Sequence, residues 1–493
     1  VSDAITGLEA IALSRAIHAR RVSCREVMQA YLDRIGRLNP QARAIVSQVP
    51  DDAALAEADR CDAELARGRG RGARRGSRGW MHGMPQAVKD TGHAAGLPTT
   101  YGSPLLKDAI ATEDSLYVAR TRAAGAIVIG KTNMPELGLG SHTYNALFGA
   151  TPNPWDPARS VGGSSGGAAA ALALRLLPVA DGSDFMGSLR NPAGWTHTFG
   201  LRPSRGRVPG WPKPDVWVAQ LSTDGPMART VADLAALLTT QAGPDPRVPL
   251  ALDAPPGSFV PDTRAREHGL RGLRIGWLAD LGGHLAVEPG ILPACEAALA
   301  RCADAGAHVE PAALGFDAEA LWQAWLVWRR ALTAPSVAAL LATPGARRHV
   351  KPEALWEHAQ ARGLTFERFL HASEVRTAFT AHVATLFERF DLLALPVAQV
   401  WPFAIGLTWP RQVAGRPMDT YHRWMETTLY ATFAGLPALS APAGFHPNGR
   451  WPAGLQLIGP PRGDALLLRA AAAYEARTGE LLARRPAEPG AGA

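Results

Sequence analysis

The sequence predicts an α/β fold, and three observations carry that expectation. Helical periodicity dominates the first seventy residues, short aliphatic runs between glycine turns fill Met84 to about Pro209, and strand-like and helix-like segments alternate again after residue 260. Ser23 followed by Glu26 is a capping box, and Val27, Tyr31, Leu32 and Ile35 fall on one face, so a helix is expected up to Asn39-Pro40. A second helix is expected over Asp52 to Arg67, ahead of a Gly/Arg-rich connection at 68–79. Ala126 to Ile129 and Leu273 to Leu278 read as strands, Ala168 to Leu177 and Leu292 to Ala305 as helices, and Leu392 to Pro396 and Ala438 to Pro442 as buried strands. Residues 210–260 are Pro-rich and read as irregular, and the tail from Arg484 is expected to fray.

Composition narrows the function classes. The chain has 493 residues, 47% of them hydrophobic and 19% charged, which is a globular balance with ample core. No apolar run reaches the length of a membrane span, and residues 1–4 have no secretory character, so a cytoplasmic protein without a membrane partner is expected. Cys24, Cys61, Cys295 and Cys302 are too scattered for a disulfide framework or a C-x-x-C metal site; no metal or cofactor is expected. The net charge of +7 is almost all arginine, and no aromatic residues interleave with Arg69, Arg71, Arg74, Arg75 and Arg78, so nucleic acid is not expected as a partner. That arginine bias makes lysine informative. The only lysines are Lys89, Lys107, Lys131, Lys213 and Lys351.

Two glycine motifs invite familiar readings that their context opposes. Gly125 to Thr132 matches a Walker A pattern, but the residues between its glycines form a strand-like apolar run rather than a phosphate-cradling loop, so Lys131 reads as a strand-end residue. Gly162-Gly163-Ser164-Ser165-Gly166-Gly167 satisfies G-x-S-x-G, yet Pro152, Pro154 and Pro157 argue for a loop before it, where a nucleophile elbow follows a strand. By itself this turn is equally a helix cap or a cradle for an oxyanion. Lys89, ending the short run Gly83 to Asp90, reads alone as a surface charge. The glycine before Ser188, in Asp181 to Pro192, lets backbone N–H groups converge on a reacting oxygen.

Together these segments resemble the amidase signature family, with its G-x-P-x-x-x-K-D segment, its G-G-S-S-G-G turn and its D-x-G-G-S segment in order and at the family's spacing. The resemblance extends to Gly130 to Asn133, Gly200 to Pro203 with Gly206 to Val208, Gly435 to Ser440 and Gly454 to Pro460. It implies one large α/β/α domain over 81–483, a mixed central sheet covered by helices on both faces, with a helical segment at 1–80 packed on it and a flexible tail at 484–493. The catalytic core is expected at about 81–210 and a variable pocket region at about 210–440.

The resemblance also implies roles: Ser188 the nucleophile, Ser164 a bridging serine after a cis peptide bond, and Lys89 the base. A serine hydroxyl needs a base to take its proton, and lysine serves near neutral pH only when burial depresses its pKa. The oxyanion hole falls on the backbone of Phe185, Met186, Gly187 and Ser188, with Ser165, Asp184 and Arg190 supporting the triad. Gly138, Met134 and Arg207 are candidates for contacting substrate. Met186 stands where the family has glycine, which bears on the acyl and leaving groups the site accepts. Trp322, Trp325 and Trp328, with Trp211, Trp217, Trp401 and Trp409, line either an aromatic pocket or the core.

The expected activity is cleavage of amide or carbamate (urethane) C–N bonds in small aryl or apolar molecules through an acyl- or carbamoyl-enzyme, by a monomer or homodimer. Two alternatives stay open. One is the amidase component of a tRNA amidotransferase, and the other is a Ser-His-Asp α/β-hydrolase built on Ser164 or Ser165.

Overall fold

The helix expected from the Ser23–Glu26 box forms at Cys24–Ala42, with the Ser23 and Glu26 side chains capping each other's backbone as the motif requires. The computed structural model describes residues 2–67, 77–255 and 257–488. The helix does not stop at Asn39-Pro40. Pro40 lies in its last turn, where the single bond its missing N–H costs leaves the rest of the helix intact, and the helix ends when Arg43 turns left-handed (φ 45°) and donates its N–H to Asn39 O (2.7 Å). The second helix spans Asp51–Arg67. The arginine-rich connection lies outside the described residues from 68 to 76, as does the tail from 489.

A small three-stranded sheet comes first: β1 (Ile45–Val46), β2 (Pro85–Lys89) and β3 (Ile127–Thr132), with β3 in the middle and β2 parallel to it. The Walker-like segment is strand β3, and Lys131 is buried on it with Nζ bonded to Gly92 O (2.6 Å) and Thr99 Oγ1 (3.1 Å). The large sheet has eight strands: β4 (Ala180–Asp184), β5 (Phe199–Arg202), β6 (Thr223–Ala228), β7 (Arg274–Trp277), β8 (His308–Pro311), β9 (Leu392–Pro396), β10 (Ala438–Phe445) and β11 (Pro452–Ile458). Their spatial order is β8-β7-β9-β11-β10-β5-β6-β4. β7 runs parallel to β8 and β9 and the remaining pairs are antiparallel, so the sheet is mixed.

Both faces of this sheet are covered. Along β9, Leu392 and Ala394 join one apolar cluster while Leu393 and Leu395 join another, as the two-residue period of a strand dictates when neither face meets water. The first cluster takes in helices Gly166–Ala173, Ile291–Asp304 and Asp464–Arg477; the second takes in Ala318–Leu341 and Phe366–Arg389. The N-terminal helices contribute Leu13, Val27, Tyr31 and Ile35 to the first cluster. No described helix is long and apolar enough to cross a membrane.

The span 210–260 is more regular than its prolines suggest. It holds β6 and the helix Val231–Gln241, which Thr230 caps by accepting the Asp233 N–H (3.2 Å). The stretch before the double-serine turn also departs from expectation, since Pro152–Asn153 and Asp156–Ser160 pair as a short antiparallel hairpin. Pro154 lies in the connection and Pro157 in the second strand, whose other edge bonds residues 403–405 through Ser160 N–H to Phe403 O (2.8 Å) and Ile405 N–H to Ala158 O (2.9 Å).

Candidate active site

The edge strand β4 lies beside β2, and one carboxylate ties them. Asp181 accepts the Lys89 N–H (3.0 Å), the Gln86 amide (3.0 Å) and the Tyr117 hydroxyl (3.2 Å), so the end of β2 is pinned against the large sheet. Lys89 is therefore not a surface charge. Its side chain is fully buried, and Nζ lies 2.8 Å from Ser164 Oγ, 2.9 Å from Ser165 Oγ and 2.9 Å from Ser183 Oγ, with Ser183 O at 3.3 Å. Burial pushes the Lys89 pKa down to about 7, against the opposing pull of Asp224, Asp184 and Asp181. A neutral amine has two hydrogens and one lone pair, so at least one of the three hydroxyls donates to Nζ.

Ser164 follows a cis Gly163–Ser164 peptide bond, and the turn runs straight into the helix Gly166–Ala173. The turn needs its glycines because the chain passes so close to other backbone. A Cβ on Gly167 would sit 2.3 Å from Asn133 N. Ser188 is held against the same turn through its carbonyl, which accepts the Ser165 N–H (3.3 Å). Gly187 before it has φ +91°, and a Cβ there would meet Thr428 Oγ1 at 2.6 Å.

Asp184 folds the segment that carries Ser188. It accepts the N–H groups of Gly187 (2.8 Å) and Leu189 (3.2 Å), the Arg190 guanidinium twice (2.9 Å each) and Arg202 (3.3 Å). Burial opposes its charge, but Arg190 and Arg202 prevail and hold the carboxyl below the usual range. One N–H expected to face an oxyanion is thus turned elsewhere, because Gly187 donates to Asp184 Oδ1.

A cavity of about 340 Å³ adjoins this cluster, lined by Ser183, Phe185, Asp224, Tyr117, Leu139 and Trp211 among others. Gly138 borders Ser164, since a Cβ on it would come within 3.8 Å of Ser164 Oγ and 3.6 Å of Met134 Cε. Arg207 is placed elsewhere. Its guanidinium bonds Asp464 (3.1 Å) and lies over the Phe259 ring (5.1 Å), so it is spent on structure and does not line the cavity. Met186 neither strains the backbone nor narrows the cavity: its φ is not left-handed, and its side chain is buried in the second apolar cluster. Of the tryptophans, Trp322, Trp325 and Trp328 are core, Trp217 is exposed, and Trp211 lines the cavity. Trp325 nonetheless packs against Phe185, with ring centroids 5.3 Å apart.

Three participants escaped the motif reading: Ser183, Asp181 and Asp224. Ser183 and Asp181 sit at alternate positions of β4, and Asp224 is the cross-strand partner of Ser183 on β6. The alternation was available from Asp181-Gly-Ser-Asp184, but the pairing with β6 was not. A histidine-dependent mechanism at this turn finds no support in the geometry: Ser164 and Ser165 both bond Lys89, while His142, a near neighbour, bonds Ser160 (2.8 Å) and Ile405 O (2.9 Å).

Known proteins are similar to this chain over nearly its whole length. The amidase family profile matches residues 26–468. A glutamyl-tRNA(Gln) amidotransferase component from Acidothermus cellulolyticus is 36% identical over 98% of this chain and 97% of its own length. An acylamidase of Rhodococcus erythropolis is 34% identical over 95% of each. Among solved structures, a bacterial aryl acylamidase of the amidase signature family superposes with a TM-score of 0.87 at 29% identity, over 97% of this chain and 99% of that one. The chain belongs to the amidase signature family of C–N bond hydrolases.

Proposed function

We propose that this protein hydrolyses amide or carbamate bonds of small aryl or apolar molecules, with Ser188 as nucleophile, Ser164 as proton relay and Lys89 as base. The observation that carries the reading is Lys89 Nζ, buried against Ser164 with its pKa brought down to about 7. Ser188 Oγ attacks the carbonyl carbon as its proton passes to Ser164, whose own proton passes to Lys89. The C–N bond then breaks and the same proton returns along the relay to the departing nitrogen. Water repeats the cycle in reverse on the acyl- or carbamoyl-serine, giving a carboxylic acid or a carbamic acid. The N–H groups of Phe185, Met186 and Ser188 are assigned to the developing oxyanion, with Gly187 serving through its bond to Asp184.

The apolar lining of the cavity, with Phe185, Tyr117, Leu139 and Trp211, supports an aryl or aliphatic acyl group. Likeness to an acylamidase and an aryl acylamidase supports the same substrates. A second reading, release of ammonia from glutamine within a tRNA amidotransferase, is favoured by the 36% identity to the Acidothermus cellulolyticus protein. Hydrolysis of a panel of anilides, aryl carbamates, primary amides and glutamine by the isolated chain separates them. Turnover of anilide or carbamate with glutamine inert supports the first reading, and the reverse order overturns it.

A further inference from the structure

A second cleft, of about 880 Å³, shares no lining residue with the cavity beside Lys89. Arg205, Arg376 and Arg462 line it, and no carboxylate does among the described residues. In a chain so rich in arginine a cluster means little by itself. What sets this one apart is Arg376: the buried arginines Arg190, Arg207 and Arg329 each lie on a carboxylate, whereas Arg376, also drawn into the protein, makes no ion pair among the described residues, and at the rim Arg205 bonds Gln220 but, like Arg462, no carboxylate.

Arg376 is the fixed member. Its Nε donates to Phe433 O (2.7 Å) and its guanidinium stacks over Trp328 (4.5 Å) and Phe433 (5.3 Å), so one edge and one face are locked. Burial, then the charges of Arg205 and Arg202, bring its pKa down to about 10, the mark of a cation lacking a counterion. Ser204, only 2% exposed, also lines the cleft, and its Oγ has no hydrogen-bond partner. An orphaned hydroxyl at the back of a carboxylate-free arginine cleft wants an acceptor. Asp464, close by in the fold, is already engaged, accepting the Ser204 N–H (2.8 Å) and pairing with Arg207 (3.1 Å).

We propose that this cleft binds a phosphate-bearing small ligand, gripped by Arg376 and Ser204 within and by Arg205 and Arg462 at the rim. Guanidinium groups match phosphate oxygens in geometry as well as charge, and Arg376 is already oriented. The assignment is independent of the catalytic reading.

Isothermal titration of the full chain with inorganic pyrophosphate, in dilute chloride buffer, tests it. One saturable site is expected, weakened roughly tenfold or more in Arg376→Gln and to a comparable degree in the double variant Arg205→Gln/Arg462→Gln. Ser204→Ala weakens it less. Absence of saturable binding, equal affinity in the double variant, or loss of binding on matching only the ionic strength with chloride overturns the proposal. If Arg376→Gln does not fold, the double variant, altered only at the exposed rim, decides alone. Duplex RNA binding where pyrophosphate does not also overturns it.

Discussion

If Lys89 is the base, the acid limb of the rate profile must report its titration. With a pKa of about 7, the neutral amine makes up about one-half at pH 7, about one-tenth at pH 6 and about one-hundredth at pH 5. The value of kcat/KM for an anilide, whose own charge does not change, should therefore fall roughly tenfold between pH 8 and pH 6 and tenfold again by pH 5. A lysine at its ordinary pKa would instead give a rate still rising tenfold per unit through pH 9. The same shift acts on stability, and its sign follows from where each state binds a proton. Above about pH 10.5 lysine is neutral folded and unfolded, and nothing is lost; below about pH 7 it is charged in both, and the folded state bears the whole penalty, about 5 kcal/mol. Between those limits the penalty grows as pH falls, reaching about 4 kcal/mol at pH 7.5. Lys89→Met removes it while giving up hydrogen bonds to Ser164, Ser165 and Ser183. The variant should be inactive yet gain stability relative to the parent as pH drops from 10 to 7, in urea melts at several pH values. A rate profile flat down to pH 5, or a Lys89→Met variant whose relative stability ignores pH, refutes the reasoning.

Three further outcomes follow from the same cluster. Asp224→Asn removes the charge that most opposes deprotonation of Lys89, so the midpoint of the acid limb should move to lower pH; an unmoved midpoint contradicts this. Asp184→Asn leaves Arg190 and Arg202 buried without their counterion and should lower unfolding free energy by about 3–5 kcal/mol in denaturant melts. Gly187→Ala forces a side chain into a φ of +91° and against Thr428 Oγ1, which should cost about 1–3 kcal/mol and displace Ser188. A fall in kcat/KM of roughly 100-fold is expected from that displacement.

Much of this site was legible from spacing, and the limits of that reading are physical. The ordered motifs do lie at one place: Lys89 Nζ meets Ser164 Oγ (2.8 Å), and the Ser188 carbonyl accepts the Ser165 N–H (3.3 Å). Lys89 looked exposed by residue type because burial is a tertiary property. It is Asp181, far along the chain, that pins β2 against the large sheet, and Ser164, Ser165 and Ser183 that surround the amine. Asp224 was invisible for the same reason, since only the β4–β6 register brings it opposite Ser183. Met186 looked like an intrusion into the site, but a side chain's direction off a turn is set by what packs around it, here the second core. Arg207 looked available for substrate, and its partner Asp464 lies more than two hundred residues away in sequence. Prolines misled at 210–260, where Pro226 sits within β6.

The central claim is that Ser188 carries the acyl group. Intact-protein mass spectrometry with peptide mapping, after brief mixing with a slowly deacylating aryl carbamate, measures it directly. The account predicts one carbamoyl adduct on Ser188, absent in Ser188→Ala. An adduct on Ser164 or Ser165, or unimpaired turnover by Ser188→Ala, would contradict it.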